Sequence, residues 1–405
     1  MSDISILIIS LLVIWVLARG SLPFTQIGRT RTTTAAAIAC ALIEGITPAQ
    51  AFAYIDSQTL LIMAVFLLVG ANLAQLRGAT SQSSRLVLLH PLALLGLVML
   101  SCALLSMVMI NDVVVALLAP LLLLLPRQSY SATLLIGLAL ASNIGSAASI
   151  LGNPQNIILA SHSGLSQAQH LQQSLAAAIL SLVLAFVIIV LLKYRNLQSP
   201  QHTDRPAEPL KARWSYQQWL TLAVAITVIS SMTLTSWLWP QALQRLSLIC
   251  LALLLLSMPR NRIAVLKQAN IPLLVLIASL FVLTHTVSTA LLSDNHNQTV
   301  VNWLQGSIDS LNGIIGFSVV ASNTIGNVPA IILLLSVLDN LSHSQASLLA
   351  YFSSVAGNLL LQGSLASIIV VEIAKKRGIS IGFRQFAALG IPVTVAAIIS
   401  GILLL

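Results

Sequence analysis

The sequence predicts an all-α polytopic membrane protein of two inverted repeats, each with five spans plus one re-entrant hairpin, and with a broken helix per repeat. Three observations predict it. Of 405 residues, 57% are hydrophobic and 7% charged, with a mean hydropathy of +0.96, whereas soluble domains carry roughly 25% charged residues. Two stretches look like copies of one element: Ile110-Asn111-Asp112-Val113 running on to Leu118, and Gly326-Asn327-Val328-Pro329 running on to Leu334. Their asparagines lie 216 residues apart, and each follows a serine by five residues, Ser106 and Ser322. A second pair comes later in each half, Gly152-Asn153-Pro154-Gln155-Asn156 and Gly363-Ser364-Leu365-Ala366-Ser367. Duplicated helix breaks in an apolar chain are how many secondary transporters build a binding site at mid-membrane.

A span needs about 20 mostly apolar residues. Windows of that kind fall at 4–18, 34–54 and 59–76, then over a long stretch at 86–126 interrupted at Asn111-Asp112. Next come 132–160, too long for one plain span, then 172–192, 217–237, 241–258 and 270–291. A second interrupted stretch covers about 307–336, followed by an over-long one at 345–373 and a last span at 386–405. The first run has no basic leader and Arg19 follows it, the wrong charge order for a cleaved signal peptide, so it counts as a span.

Lys and Arg accumulate on the cytoplasmic side. With both termini outside and both interrupted stretches folded as hairpins, only Arg245 of the 19 basic residues is misplaced. Arg29 and Arg31 then mark a cytoplasmic connection. The first repeat is 1–195, with its hairpin at about 86–126 and its broken helix at about 132–160. The polar segment 196–214 is the cytoplasmic linker, and 215–405 the second repeat, with hairpin and broken helix at about 307–336 and 345–373. An odd number of spans per half inverts one copy against the other. The expected location is therefore the bacterial inner or plasma membrane, as a multi-pass protein.

The net charge of +9 comes from basic residues scattered between apolar segments, which is no footprint for nucleic acid. Cys40, Cys102 and Cys250 stand singly in apolar runs, so neither disulfides nor a metal site are indicated.

Bare backbone groups are costly in hydrocarbon, so broken helices persist only where protein or a watery cavity satisfies them. The first break, Ala141 to Asn156, holds Ser142, Asn143, Gly152, Asn153 and Asn156, and Pro154 removes a helix hydrogen bond. The second holds Asn358, Gln362, Gly363 and Ser364. Half-helix N-termini attract anions, and freed carbonyls and amide oxygens hold Na⁺. The alternative for any single Gly or Ser is close helix packing, but two matched breaks, each after a matched hairpin, favour binding. Asp112 is the carboxylate placed deep in the membrane, where charge is expensive and usually functional; the alternative is an N-cap for the second hairpin helix. Glu44 and Asp56 read as interfacial, Glu372 as a surface partner of Lys375 and Lys376, His285 as a hydrogen-bonder to a neighbouring helix, and Trp237, Trp239 and Trp303 as an outer aromatic belt.

The runs Asn111-Asp112-Val113 to Pro120, Gly152 to Asn156, Asn327-Val328-Pro329 and Gly363 to Ala366 resemble the ion transporter superfamily. They lie closest to its citrate-transporter-like and arsenite-permease-like branch, related to divalent anion:sodium symporters and a Na⁺/H⁺ antiporter branch. The resemblance implies hairpin tips that bind Na⁺ and a substrate carboxylate through asparagine, here Asn111 and Asn327, with Ser106 and Ser322 matching Na⁺-lining positions. The tips lack the Ser and Thr that flank this asparagine in the dicarboxylate symporters. Ser322-Asn323-Thr324 is a literal copy of that motif, but it lies four residues early and is read as a decoy. The resemblance also implies a homodimer.

The resulting expectation is a non-enzymatic, ion-coupled (Na⁺ or H⁺) secondary transporter of a small organic or inorganic anion, with no other cofactor and an elevator-like cycle. The substrate or ion site would comprise Ser106, Asn111, Asp112, Ser142, Asn143, Gly152, Asn153, Asn156, Ser322, Asn327, Asn358, Gln362, Gly363 and Ser364, with Na⁺ at Ser106, Asn111, Ser322 and Asn327. The rivals are Na⁺/H⁺ antiport through Asp112, arsenite efflux, and a passive channel. An intramembrane enzyme lacks the metal pairs and nucleophile–base pairs it would need.

Overall fold

The computed structural model describes residues 2–19, 27–76, 89–123, 125, 130–197, 214–258, 262–293, 302, 305–306, 308–338 and 340–405. Most of the linker 196–214, and Trp303, lie outside the described residues. Those described hold helices and no β-strand, as expected where every backbone group must be satisfied within its own segment.

The first half contains α1 (Ser2–Arg19), α2 (Arg29–Ile43), α3 (Pro48–Ala53), α4 (Ser57–Ala74), α5 (Pro91–Val108), α6 (Asn111–Leu122), α7 (Ser131–Ser146), α8 (Pro154–Ser163) and α9 (Gln167–Leu197). The second contains α10 (Tyr216–Leu238), α11 (Leu243–Ser257), α12 (Arg262–Gln268), α13 (Ile271–Ser293), α14 (Leu311–Thr324), α15 (Asn327–Leu335), α16 (His343–Ala356), α17 (Leu365–Lys376) and α18 (Phe383–Leu404). Seven helices among the described residues are long and apolar enough to cross a membrane: α4, α5, α9, α10, α11, α13 and α18. The protein is an integral, multi-pass membrane protein.

Both interrupted stretches fold as helix–turn–helix hairpins, α5/α6 and α14/α15, and both over-long stretches break, α7/α8 and α16/α17. The turn at 109–110 keeps ordinary backbone angles, while the second turn uses Gly326 at φ +95°, a region open chiefly to glycine. The segments between the half-helices run over 147–153, the middle of the expected stretch Ala141 to Asn156, and over 357–364, which includes Asn358, Gln362, Gly363 and Ser364. Pro154 starts α8 rather than interrupting a helix, because at a first turn its missing N–H costs no bond.

Other expectations need correction. The window 34–54 is not one span: α2 ends at Ile43, Gly45 turns at φ +68°, and Thr47 with Gln50 forms a capping box that starts α3. Glu372 makes no ion pair with Lys375 or Lys376 among the described residues. His285 stacks on Tyr54 with centroids 3.6 Å apart, and among the described residues its ring makes no hydrogen bond to a neighbouring helix. Asp56, read as interfacial, in addition caps α4, accepting from the Thr59 amide and hydroxyl.

Packing partners recur in matched pairs when the halves are exchanged. α1 packs on α2 and α10 on α11; α2 on α13 and α11 on α4; α5 on α7 and α14 on α16; α6 on α17 and α15 on α8. The last helices of the halves, α9 and α18, pack on each other. Small residues set the closest approaches: a side chain at Gly145 of α7 would run into the Ala103 backbone of α5.

Candidate functional site

The first half-site is built where a hairpin tip meets a break. Asn111 opens α6, its N–H donating to the Gly152 carbonyl at 2.8 Å. Gly152 lies so close to α5 that an added Cβ would stand 2.5 Å from the Ser106 carbonyl. The Asn111 amide Nδ2 donates to Asn143 Oδ1 at 2.8 Å, Asn143 Nδ2 donates to Asn358 Oδ1 at 2.9 Å, and Asn358 Nδ2 donates to the Leu140 carbonyl at 3.1 Å. Ser364 Oγ donates to Asn143 Oδ1 at 3.0 Å. Asn143 is thus a hub joining the first hairpin, the first broken helix and the second break, all of it buried.

The residues that start the downstream half-helices reach across to the other half as well. Asn153, N-cap of α8, donates to Ser146 Oγ at 2.7 Å and Ser354 Oγ at 2.9 Å, and Ser364, N-cap of α17, serves Asn143. Neither caps its own helix. The tips Ile110 and Gly326, N-caps of α6 and α15, give no side-chain cap either. Asp112 therefore is not an N-cap: it occupies the first turn of α6, with Ile110 before the helix. There its charge would favour the helix end, since the N-terminus of a helix carries about half a positive charge.

All four of these helix starts open onto one cavity of about 60 Å³, several times the roughly 10–15 Å³ that a single water needs. Asp112, Asn153, Pro154, Gln155, Gly326, Asn327, Gln362, Gly363 and Ser364 form its polar side, and Leu273, Leu276, Ile277 and Leu280 of α13 form an apolar wall. Elsewhere, Thr47, Asp56, His90, Ser215, Ser310 and Ser342 cap their helices with side chains. Uncapped starts occur outside the cavity too, at α7, α11 and α18, and α2 starts uncapped beside it, so the weight rests on four half-helix starts sharing one space. Pro154 and Pro329 each remove one donor from their first turn. Asp112 also lines a larger cavity of about 490 Å³ between α4, α6, α17 and the link from α12 to α13.

Of the expected site residues, six line the central cavity: Asp112, Asn153, Asn327, Gln362, Gly363 and Ser364. Asn111, Asn143, Gly152 and Asn358 stand behind it as the network. The oxygens Ser106 Oγ, Asn111 Oδ1, Ser322 Oγ and Asn327 Oδ1 are buried with no hydrogen-bond partner among the described residues. Two expected ligands are otherwise engaged. Ser142 donates to the Ala139 carbonyl of its own helix at 2.7 Å. Asn156 closes the first break, donating to the Ser146 and Ser149 carbonyls and accepting from Ser354 Oγ.

Several residues escaped sequence reasoning. Gln167 Oε1 accepts from the Ile150 amide at 2.8 Å, and His170 bridges Ser347 Oγ and the Ala147 carbonyl at 2.8 and 3.0 Å. Both satisfy backbone freed by the first break, and the polar start of the otherwise apolar α9 was their one signal. Asn323 braces the second break, donating to the Ala356 carbonyl and accepting from the Leu360 amide. Arg29, read only as a topology marker, opens α2 and lines the central cavity.

Comparison with known proteins agrees with this architecture. The chain is 27% identical over 333 residues to a 46 kDa membrane protein of Mycobacterium leprae, covering 76% of this chain and 75% of that one. It is 28% identical over 313 residues to the inner membrane protein YbiR of Escherichia coli, with the same coverage of 76% and 75%. A stretch of 88 residues is 41% identical to transporter arsB of Dictyostelium discoideum, 20% of this chain and 15% of that one. The family described as citrate transporter matches residues 10–356. With hairpins, broken helices and sequence in agreement, the chain belongs to the citrate transporter family, and so to the membrane anion transporters and permeases of the ion transporter superfamily.

Proposed function

We propose that the chain is an ion-coupled (Na⁺ or H⁺) secondary transporter of a small organic or inorganic anion, with elevator-like alternating access. The observation that carries this reading is the convergence of four half-helix N-termini, none capped by its own side chain, on one cavity. Four such ends present roughly two positive charges' worth of dipole to whatever sits between them, and their amides can hold carboxylate or oxyanion oxygens. The matched packing pairs support two repeats, 1–195 and 215–405; an odd number of spans in each inverts one against the other, and the distribution of Lys and Arg favours both termini outside.

Na⁺ is the coupling ion this reading favours. The orphaned oxygens Ser106 Oγ and Asn111 Oδ1 at one tip, and Ser322 Oγ and Asn327 Oδ1 at the other, are neutral acceptors of the kind such an ion takes. A second reading is Na⁺/H⁺ antiport with Asp112 as proton carrier, favoured by a buried carboxylate that lines both the central cavity and its larger neighbour.

Purified protein in proteoliposomes tests both. Saturable uptake of citrate, succinate, sulfate or phosphate driven by an inward Na⁺ gradient is expected. Anion flux indifferent to Na⁺ and proton gradients, or Na⁺/H⁺ exchange with no anion uptake, refutes the anion-symport reading.

A further inference from the structure

One charge on the cavity wall comes from outside the hairpins and broken helices. Arg29 is the first residue of α2, which packs on α1 and α13, and its side chain lines the cavity that Asn153, Asn327 and Ser364 face. Its Nε is buried without a partner. Among the described residues the guanidinium makes no hydrogen bond and no ion pair. Glu372 acts on it only through space, from an exposed position on α17. Asp112 shares the cavity without pairing with it.

A guanidinium stays charged at any working pH and carries five N–H donors in a fork suited to carboxylate or phosphate. Leaving such a group half-buried and unpaired is costly. The cost is offset if its partner is a solute that arrives and leaves.

Building on the anion-transport reading, we propose that Arg29 contacts the substrate directly, engaging a charged oxyanion group (carboxylate, sulfate or phosphate) held between it and the four helix N-termini. The remainder of the solute lies against Leu276 and Leu280. Arsenous acid, neutral at pH 7, offers no charge to Arg29, so the same geometry disfavours arsenite as cargo.

The test is thermal stabilisation and binding with the purified full-length protein in Na⁺ buffer, probed with citrate, succinate, sulfate, phosphate and arsenite. Wild type is expected to bind at least one charged anion, and Arg29→Gln to bind it about ten- to a hundred-fold more weakly, the loss of a charge-assisted contact. Arg29→Lys, which keeps the charge but not the fork, falls between, and Glu372→Gln binds like wild type. Should Arg29→Gln not fold, the weakened binding by Arg29→Lys carries the test. Wild-type affinity in Arg29→Gln, or in Arg29→Lys where that variant carries the test, overturns the assignment while leaving the transporter intact. So does equal loss in Glu372→Gln, which would mean that Arg29 acts only through that carboxylate, and so does binding of arsenite alone. If wild type binds none of the five, the anion-transport reading falls and this assignment with it.

Discussion

Replacing Asn143 by alanine removes three hydrogen bonds at once: from Asn111 Nδ2 at 2.8 Å, from Ser364 Oγ at 3.0 Å, and to Asn358 Oδ1 at 2.9 Å. All three partners are buried, so each is left with an unmet polar atom, which costs roughly 1–3 kcal/mol. Transmembrane side-chain hydrogen bonds average nearer 0.6 kcal/mol in double-mutant cycles, so a total of about 2–4 kcal/mol is the reasonable scale. The loss has a direction as well as a size, because it uncouples the first hairpin tip from the second break. Asn143→Ala should therefore lower the melting temperature of the detergent-purified protein by several degrees. It should also weaken anion binding, although Asn143 does not line the cavity. Asn143→Asp keeps the accepting oxygen and, protonated, an O–H that can still donate to Asn358 Oδ1, so it should weaken binding less than alanine does. Thermal unfolding with and without the best anion measures both effects. Wild-type melting and wild-type affinity in Asn143→Ala would refute the view that this asparagine chain holds the two half-sites in register.

Asp112→Asn separates the two transport readings: Na⁺-driven anion uptake should persist at reduced rate, and disappearance of all coupled flux would instead mark Asp112 as the proton carrier. Ser106→Ala and Ser322→Ala delete orphaned hydroxyls, so each should raise the Na⁺ concentration for half-maximal uptake several-fold without changing melting in Na⁺-free buffer. Gly145→Val drives a side chain into the Ala103 backbone; overpacking of this kind costs roughly 1–3 kcal/mol or more, seen as poor yield or early melting. Gln167→Ala strips the partner of the buried Ile150 amide, so hydrogen exchange over 147–153 should accelerate while the second break, 357–364, stays protected.

Hydropathy and helix breaking are local properties, and the sequence by itself determined what depends on them. Low charge and apolar runs placed the chain in a bilayer. Asn111 and Asn327, each entering an apolar run after a polar break, located both hairpin turns, and the Gly, Ser and Asn clusters located both breaks. Backbone that cannot stay helical in hydrocarbon has to be marked by such residues. Boundaries were less legible. Pro154 read as an interruption because a proline at a first turn and one mid-helix look alike without the turn before it, and the window 34–54 hid the Gly45 turn because hydropathy averages over it.

Only the tertiary structure decided which polar groups are spent on one another and which are left for a ligand. Asn143 and Asn358 are 215 residues apart, and no local pattern says that their amides meet, or that Asn156 is consumed in closing its own break. The same holds for Arg29, whose sequence neighbourhood is that of a cytoplasmic loop and whose cavity, Leu17 apart, is lined by residues more than 80 positions away. Side-chain chemistry is written in the chain, but its availability depends on packing between distant segments, because a donor or acceptor already satisfied by a neighbour has nothing left to offer a solute.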